Sequence, residues 1–281
     1  MKNTKKPEIS IVLPTKEEEG AFSLIEKLKG KFGSRAEIIV IDESGDEYYN
    51  KLKATGVRAI RQKSHGIENG ILEAFSQANG VTLSTIDADG THDPEGLALG
   101  LNAIKGGKAD LVLGNRMASL QEGSMDSHLF IGNWLLTAMY NIFFKQHVHD
   151  VLTGLFVVDR KAYDAVKDVH PPFKMQHMFF QIELAKRGYR VAEVPINYYK
   201  RSYGKSKVAK SKFLFGFKMA RRLLVCSNYY VSFMTFGLLG IALVITGLAI
   251  AVFGGGMSNN VMFVEAAGIV SLLIGLNYRI A

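Results

Sequence analysis

The chain lacks the residues and motifs that mark several large protein classes. Its 281 residues include a single cysteine, Cys226, which excludes a disulfide framework and a zinc site built from cysteines. No Gly-x-Gly-x-x-Gly follows the first predicted strand, and no Gly-Lys-Ser/Thr phosphate loop occurs. Dinucleotide-dependent oxidoreductases and P-loop enzymes are therefore disfavoured.

Positive charge is concentrated in one short segment. The formal net charge is +8, and basic residues crowd together directly before the most apolar part of the sequence. They are Lys200, Arg201, Lys205, Lys207, Lys210, Lys212, Lys218, Arg221 and Arg222. This placement favours an anionic membrane face over nucleic acid as the partner.

Two apolar stretches near the C-terminal end are predicted to span a membrane. Residues 229–253 contain no charged residue and exceed the roughly 20 residues that a crossing needs. Residues 261–278 are predicted to return. Within them Glu265 is either a functional intramembrane acid or, being near the start of the span, an interfacial one.

The charge pattern also predicts how the chain is organised. By the positive-inside rule the basic segment stays cytoplasmic. We expect a cytoplasmic globular domain over 1–208, an amphipathic juxtamembrane helix over 209–227 and a transmembrane hairpin over 228–281. The amphipathic helix lies along lipid headgroups or packs on the globular domain. The protein is accordingly predicted to be an integral protein of the cell membrane.

The first half of the chain alternates strand and helix patterns. Short buried strands are predicted at 9–13, 37–41, 57–60, 81–86 and 110–114. Helices are predicted between them at 21–28, 48–55, 67–78 and 94–105, and later at 128–144 and 175–187. The pattern is typical of an α/β fold with a doubly wound, mostly parallel sheet.

Two carboxylates follow the predicted strand 81–86. Asp87 and Asp89 are two residues apart, so both would project to one side at the carboxyl end of the strand, where open α/β sheets bind ligands. Carboxylates held so close repel one another unless a cation lies between them, and a hard divalent ion with diphosphate partners fits best. The same residues are also typical of a turn with a helix cap.

Acidic residues follow the first two predicted strands as well. Glu18 and Asp42 could accept hydrogen bonds from a base edge and from ribose hydroxyls, which suits a bound nucleoside. Helix caps or solvated acids are the alternative.

A set of short motifs occurs in a fixed order over residues 9–207. The motifs are Pro14-Thr15-Lys16 with Glu18, Asp42-Glu43-Ser44, Asp87-Ala88-Asp89, Gly114-Asn115-Arg116, Asp150 with Thr153-Gly154, Glu193-Val194-Pro195-Ile196, and Arg201-x-x-Gly204-x-Ser206-Lys207. This ordered set resembles family 2 glycosyltransferases, and most of all the dolichyl-phosphate (polyprenyl-phosphate) sugar synthases. The stretch 114–133 is similar to archaeal members that act in protein N-glycosylation.

The resemblance implies a GT-A fold, a Mg²⁺ or Mn²⁺ ion, and inversion at the sugar carbon. Asp150 would lie by the acceptor, and Arg116 would serve the phosphates. The nucleotide sugar would be held by Pro14, Thr15, Glu18, Asp42, Glu43, Ser44, Asp87, Ala88 and Asp89. The metal would be held by Asp87 and Asp89, with Thr91 in the place of a glutamine that can help bind it. The acceptor phosphate would be held by Arg201, Ser206 and Lys207.

Simple electrostatics supports the role of the basic residues. A lipid monophosphate has a second pKa near 6, so near neutral pH it is largely a dianion and hardly needs a general base. The obstacle is its repulsion from the nucleotide diphosphate, which fixed cations such as Arg201 and Lys207 would reduce. Generic attraction to anionic lipid is the alternative for these cations.

The predicted function is transfer of one hexose or N-acetylhexosamine from a nucleoside diphosphate sugar to dolichyl or polyprenyl phosphate. The archaeal resemblance favours a UDP-sugar over GDP-mannose. A processive polysaccharide synthase would normally carry Gln-x-x-Arg-Trp, and the one tryptophan, Trp134, has no such context. A transferase that extends a lipid-linked glycan and a non-catalytic membrane adaptor remain as alternatives.

Overall fold

A computed structural model of the chain describes residues 6–169, 178–201, 212–227, 233–254 and 259–277. The chain divides into two compact units between Lys212 and Phe213. Ser206 and Lys207 of the predicted acceptor site lie outside the described residues.

The first unit is built on one sheet. Within the described residues seven strands take the order β3-β2-β1-β4-β6-β5-β7. Their bounds are β1 (Ile9–Thr15), β2 (Ala36–Asp42), β3 (Arg58–Arg61), β4 (Thr82–Thr85), β5 (Leu111–Leu120), β6 (Phe156–Asp159) and β7 (Val191–Tyr198). β6 runs antiparallel to both of its neighbours, and the other neighbouring pairs are parallel. The predicted mixed α/β architecture is confirmed.

Helices connect the strands of this unit. Their bounds are α1 (Gly20–Phe32), α2 (Asp46–Ala54), α3 (Ile67–Gln77), α4 (Glu95–Lys105), α5 (Ser127–Phe144), α6 (Arg160–Asp164) and α7 (Met178–Lys186). On α1 the buried Leu24, Ile25 and Leu28 recur at helical spacing and join the core with apolar residues of β1. All of β1 is buried, as expected of a central parallel strand covered on both faces.

The second unit contains an antiparallel pair of helices. α8 (Lys212–Cys226) precedes a π-helical turn, Phe233–Gly237, which leads into α9 (Leu238–Phe253), and α10 (Asn259–Asn277) follows. The α9 and α10 backbones approach closely where Gly240 lies against Gly268. Among the described residues no helix is both long and apolar enough to cross a membrane, so the spans at 229–253 and 261–278 stay predictions.

Helix α8 lies within residues 209–227, where an amphipathic juxtamembrane helix is predicted. It buries Met219, Leu223 and Cys226 and leaves Phe217 63% exposed. The location of α8 at a membrane stays a prediction.

Close approach of β1 and the turn before β4 requires a glycine at position 80. A Cβ on Gly80 would overlap the backbone nitrogen of Ser10 and would lie 2.8 Å from the carbonyl carbon of Ile9. We expect Gly80→Ala to lower the free energy of unfolding by about 1–3 kcal/mol, because the backbone of β1 or of the turn before β4 must shift to make room for the methyl group. Denaturant titration followed by circular dichroism measures the change.

Gly30→Ala is the matched control. Gly30 lies in α1 with no heavy atom within 4 Å of its added Cβ, so alanine there should stabilise the chain by about 0.5–1 kcal/mol. Equal stability of the two variants would contradict the close approach at Gly80.

Candidate functional site

The candidate site lies at the carboxyl edge of the central parallel strands. β1, β2 and β4 run in one direction, so the residues that follow them collect at the same edge. Asp87 and Asp89 follow β4, Glu18 follows β1, and Asp42 ends β2. Arg201, which follows β7, reaches the same place.

Asp89 accepts hydrogen bonds at both of its carboxylate oxygens. It is largely buried, and its Oδ1 accepts hydrogen bonds from the backbone nitrogen of Thr91 at 3.1 Å and from its hydroxyl at 2.7 Å. Nη2 of Arg201 donates to Oδ2 at 2.5 Å. Burial alone would raise the pKa of Asp89, but the hydrogen bonds from Thr91 and the charge of Arg201 outweigh it and hold the pKa below its usual value. Asp89 is therefore a carboxylate.

Asp87 is more open and is backed by a glycine. Its side chain is 39% exposed, and its Oδ2 lies 3.9 Å from Nδ1 of His92. A Cβ on Gly154 would lie 2.7 Å from Oδ1 and would overlap Cγ and Oδ2. The Asp87 carboxylate can therefore lie against the loop before β6 only because residue 154 has no side chain.

His92 lies buried behind the two carboxylates. Burial and the nearby positive charge of Arg116 lower the pKa of His92 to about 4, so the imidazole is neutral near pH 7. The Thr91 hydroxyl donates a hydrogen bond to Oδ1 of Asp89 and lies 3.0 Å from Nδ1 of His92. Nδ1 must then carry the imidazole proton and donate it to Thr91. These two hydrogen bonds fix the orientation of the Thr91 hydroxyl, and through it the position of one carboxylate oxygen of Asp89.

Arg116 and Asp150 form a buried ion pair beside these residues. Nε of Arg116 donates to Oδ2 of Asp150 at 2.6 Å, Nη2 donates to Oδ1 at 2.8 Å, and the Arg116 backbone nitrogen adds a bond of 3.1 Å. Burial opposes the charge of Arg116, but Asp150 raises its pKa above the ordinary value. The guanidinium also lies over the ring of Tyr198, 5.3 Å from its centre.

The pairing defines what Asp150 does in this structure. Asp150 is fully buried, both of its carboxylate oxygens bond to Arg116, and Glu193 accepts from its backbone nitrogen at 2.9 Å. The observed role of Asp150 is to hold Arg116. Its predicted role at the acceptor remains a prediction.

The predicted nucleoside residues form a second hydrogen-bonded group. Asp42 is fully buried. Its Oδ1 accepts from the hydroxyls of Thr15 at 2.9 Å and Ser44 at 2.6 Å, and its Oδ2 accepts from the Ser44 backbone nitrogen at 3.2 Å. Asp42 therefore joins the ends of β1 and β2.

Glu43, Pro14 and Ala88 are three more of the predicted nucleotide-sugar residues. A hydrogen bond from His65 and the charge of Lys16 lower the pKa of Glu43. Pro14 is paired with Ile41 in the β1–β2 register. The buried Ala88 lies with its carbonyl oxygen 2.9 Å from where a Cβ on Gly20 would be.

Comparison with known proteins gives the family. The family model described as Glycosyl transferase family 2 matches residues 10–167, more than half of the chain. The chain belongs to glycosyl transferase family 2.

Relatives of this family 2 chain include archaeal proteins. It is 30% identical over 239 residues to the low-salt glycan biosynthesis hexosyltransferase Agl6 of Haloferax volcanii, covering 83% of the chain and 57% of that protein. It is 27% identical to the dolichyl-phosphate hexose transferase of the same organism, covering 69% of the chain and 84% of that protein. The dolichol-phosphate mannosyltransferase of Pyrococcus furiosus is 25% identical, over 74% of the chain and 60% of that protein. The chain thus spans less than two thirds of the first and third relatives.

Solved structures of similar fold include glucosyl-3-phosphoglycerate synthase from Mycobacterium tuberculosis. Its complex with phosphoglyceric acid superposes with a TM-score of 0.57 at 19% identity, covering 79% of this chain and 80% of that one. Its complex with Mn²⁺, UDP and phosphoglyceric acid gives 0.56 at 18% identity, covering 79% and 77%. At these identities the likeness shows the fold.

The oxygen atoms at the edge suit a hard divalent cation. Among the described residues no group of three or more His, Cys, Asp or Glu is arranged to hold a metal. Asp87 and Asp89 can supply two oxygen ligands, and Mg²⁺ or Mn²⁺ commonly completes its shell with substrate phosphates and water. Oδ1 of Asp89 is held by Thr91, so the oxygen available to a cation is Oδ2, where Arg201 now donates. The Thr91 hydroxyl already bonds to Asp89 and His92, so direct metal contact by Thr91 stays a prediction.

Gly154 offers a test of how Asp87 is placed. We expect Gly154→Ala to push the Asp87 carboxylate away and to weaken Mn²⁺ binding by about 10–100-fold, the usual effect of disturbing groups around a metal site. Mn²⁺ titration followed by electron paramagnetic resonance measures the affinity, with Gly30→Ala as the control. Unchanged Mn²⁺ affinity in a folded Gly154→Ala variant would remove Asp87 from the metal site.

The Arg116–Asp150 pair predicts an asymmetric response to mutation. Asp150→Leu should lower the free energy of unfolding by about 3–5 kcal/mol, because it leaves a buried guanidinium without a partner. The double variant Arg116→Met with Asp150→Leu should recover most of that loss. Denaturant titration of both single variants and the double variant gives the coupling energy, and a coupling near zero would contradict the structural role of Asp150.

Proposed function

We propose that the chain transfers one hexose or N-acetylhexosamine from a nucleoside diphosphate sugar to dolichyl or polyprenyl phosphate, with inversion at the sugar carbon. The observation that carries the proposal is the meeting of Asp87, Asp89 and Arg201 at the carboxyl edge of β4. The relatives named as a dolichyl-phosphate hexose transferase and a dolichol-phosphate mannosyltransferase support a lipid phosphate as acceptor.

The negative charges of the two reactants determine what the reaction requires. A phosphate oxygen of the acceptor attacks the anomeric carbon, and the bond from that carbon to the diphosphate breaks with its electron pair left on the diphosphate. Two unit charges roughly 4 Å apart repel by about 4 kcal/mol at an effective dielectric constant near 20, and here both reactants carry more than one charge. A bound Mg²⁺ or Mn²⁺ would neutralise the diphosphate and stabilise it as the leaving group.

The residues of the chain supply the remaining positive charge. Arg201 bonds to Asp89 and lies 3.8 Å from Glu18, so its guanidinium lies at the same edge of the sheet as the two acids. Arginine suits bidentate contact with a phosphate. Arg116, held by Asp150 and close enough to Asp87 for that carboxylate to raise its pKa, adds a fixed cation that needs no reorganisation during the reaction.

The nature of the donor and the location are parts of the same proposal. Solved neighbours of the fold contain UDP with Mn²⁺ or Mg²⁺, which supports a UDP-sugar over GDP-mannose and supports a divalent metal. The basic residues between 200 and 222 and the apolar helices α9 and α10 support a membrane protein with its globular unit on the cytoplasmic side.

A second candidate is transfer of a hexose to a glycan that is already linked to lipid. The relative with 30% identity is named as a hexosyltransferase of glycan biosynthesis, a name that does not specify lipid phosphate as the acceptor. This candidate predicts no product with lipid phosphate alone.

The test incubates membranes holding the protein with labelled UDP- and GDP-sugars and dolichyl phosphate. We expect one donor to give an organic-extractable product with Mn²⁺ present and none with a chelator. Asp89→Asn should lower the rate by about 10²–10³-fold, because the cation that would neutralise the leaving diphosphate loses a carboxylate ligand.

Glu26→Gln on the exposed side of α1 is the matched carboxyl-to-amide control and should keep the full rate. Transfer only to a lipid-linked glycan would favour the second candidate. Nucleotide binding without any transfer would favour an adaptor and refute both.

A further inference from the structure

Helix α5 is apolar on both sides. Its 18 residues include no Asp, Glu, Lys or Arg. One side packs into the globular unit through Leu136, Tyr140 and Phe144. The other side exposes five large apolar side chains, here called the α5 face: Phe130, Ile131, Trp134, Leu135 and Ile142. Residues at this spacing share one side of a helix.

The α5 face differs from the rest of the globular surface. The other exposed large apolar side chains of the described globular unit are spread over the surface, two on α3 (Ile67 and Leu72) and one each at Val81, Leu99 and Tyr199. Single exposed apolar residues are ordinary, whereas a contiguous apolar patch marks an interaction surface. Trp134 is 63% exposed in the middle of the patch.

Hydrogen bonds attach α5 to the candidate site. The Asn141 amide donates to the carbonyl oxygen of Val148 at 2.7 Å and accepts from its backbone nitrogen at 3.0 Å. The Thr137 hydroxyl accepts from the backbone nitrogen of Val151 at 3.2 Å. Asp150, which holds Arg116, lies between these two anchored residues. The α5 face therefore has a fixed position relative to the site.

We infer that the α5 face docks on the surface of a lipid bilayer. The inference rests on the proposed function, because a lipid phosphate reaches Arg201 and Asp89 only if their edge of the sheet approaches the membrane. An uncharged helix face with a central tryptophan suits the boundary between headgroups and acyl chains. A protein partner would more often meet arginine, and α5 contains none.

Other helices of the same chain have surfaces of similar chemistry. α9 exposes large apolar residues over most of its length, among them Leu239, Ile245 and Phe253, and α10 does so with Phe263 and Val270. A chain with such helices and a lipid acceptor would be held near the bilayer, where the α5 face could insert by about 5–10 Å.

Trp134 provides a direct test, since it is the only tryptophan of the chain. The full-length protein is placed in lipid nanodiscs, either unmodified or with bromine on the upper acyl chain. We expect brominated lipid to lower Trp134 emission about twofold or more at the depth given for such helices, and acrylamide to quench weakly. Emission unaffected by bromine would overturn the inference, whether acrylamide quenches strongly, as on a free surface, or weakly, as under a second copy or another protein.

A pair of variants separates docking from chemistry. Ile131→Ser with Leu135→Ser should raise KM for long-chain lipid phosphate in bilayers about tenfold, equal to the loss of about 1.4 kcal/mol. It should leave kcat, and transfer to a short-chain soluble acceptor, unchanged. Leu72→Ser on α3 is the matched control and should change neither. Equal loss of transfer to both acceptors would count against a docking role.

Failure of the inference and failure of the proposed function are distinguishable. Bromine quenching without transfer to any lipid phosphate supports the docking surface and refutes the proposed function. Transfer without bromine quenching supports the function and refutes the docking surface.

Discussion

Balance of charge at the carboxyl edge of β4 is the constraint on which the site depends. Asp87 and Asp89 lie two residues apart, with Glu18 and Asp150 nearby, and the guanidinium groups of Arg116 and Arg201 offset their charge. The two arginines do so differently. Arg116 forms a bidentate pair with the buried Asp150, whereas Arg201 bonds to Asp89 and lies 3.8 Å from Glu18. The side chain of Arg201 is 23% exposed, compared with 11% for Arg116.

Arg201 also determines the electrostatic state of Asp89. It bonds to Oδ2, whereas Thr91 bonds to Oδ1. The acid therefore has a cationic partner, and an uncompensated buried charge is avoided. In the proposed reaction a divalent ion at Oδ2 would replace this contact, and the guanidinium would then turn toward a phosphate.

Much of this could be predicted from the sequence. The alternation of apolar strands and helices indicated a mostly parallel sheet, and the spacing of Asp87 and Asp89 placed both at its carboxyl edge. β6 and β7 were missed for physical reasons. β6 is only four residues long, and β7 contains Pro195, which an edge strand tolerates but which disfavours a strand prediction.

The roles of His92, Gly154 and Asp150 depend on contacts that no local pattern reveals. Gly154 reaches Asp87 across a long separation in sequence because β6 runs against its neighbours and brings its preceding loop to the ligand edge. The Thr91-His92 pair after Asp89 was a signal for these hydrogen bonds, since a histidine among acids next to a buried strand needs a hydrogen-bond partner. Nothing in the sequence indicated that both carboxylate oxygens of Asp150 would bond to Arg116.

The reversed direction of β6 also has a consequence for biosynthesis. β4 ends at Thr85, but β6, its second neighbour in the sheet, begins only at Phe156. One side of β4 therefore stays unpaired in the growing polypeptide while about seventy more residues are added. An unpaired strand edge of this kind is prone to edge-to-edge aggregation until its partner strand is added. The insertion of β6 both pairs the open side of β4 and brings Gly154 behind Asp87, so closure of the sheet and placement of the Asp87 carboxylate occur together.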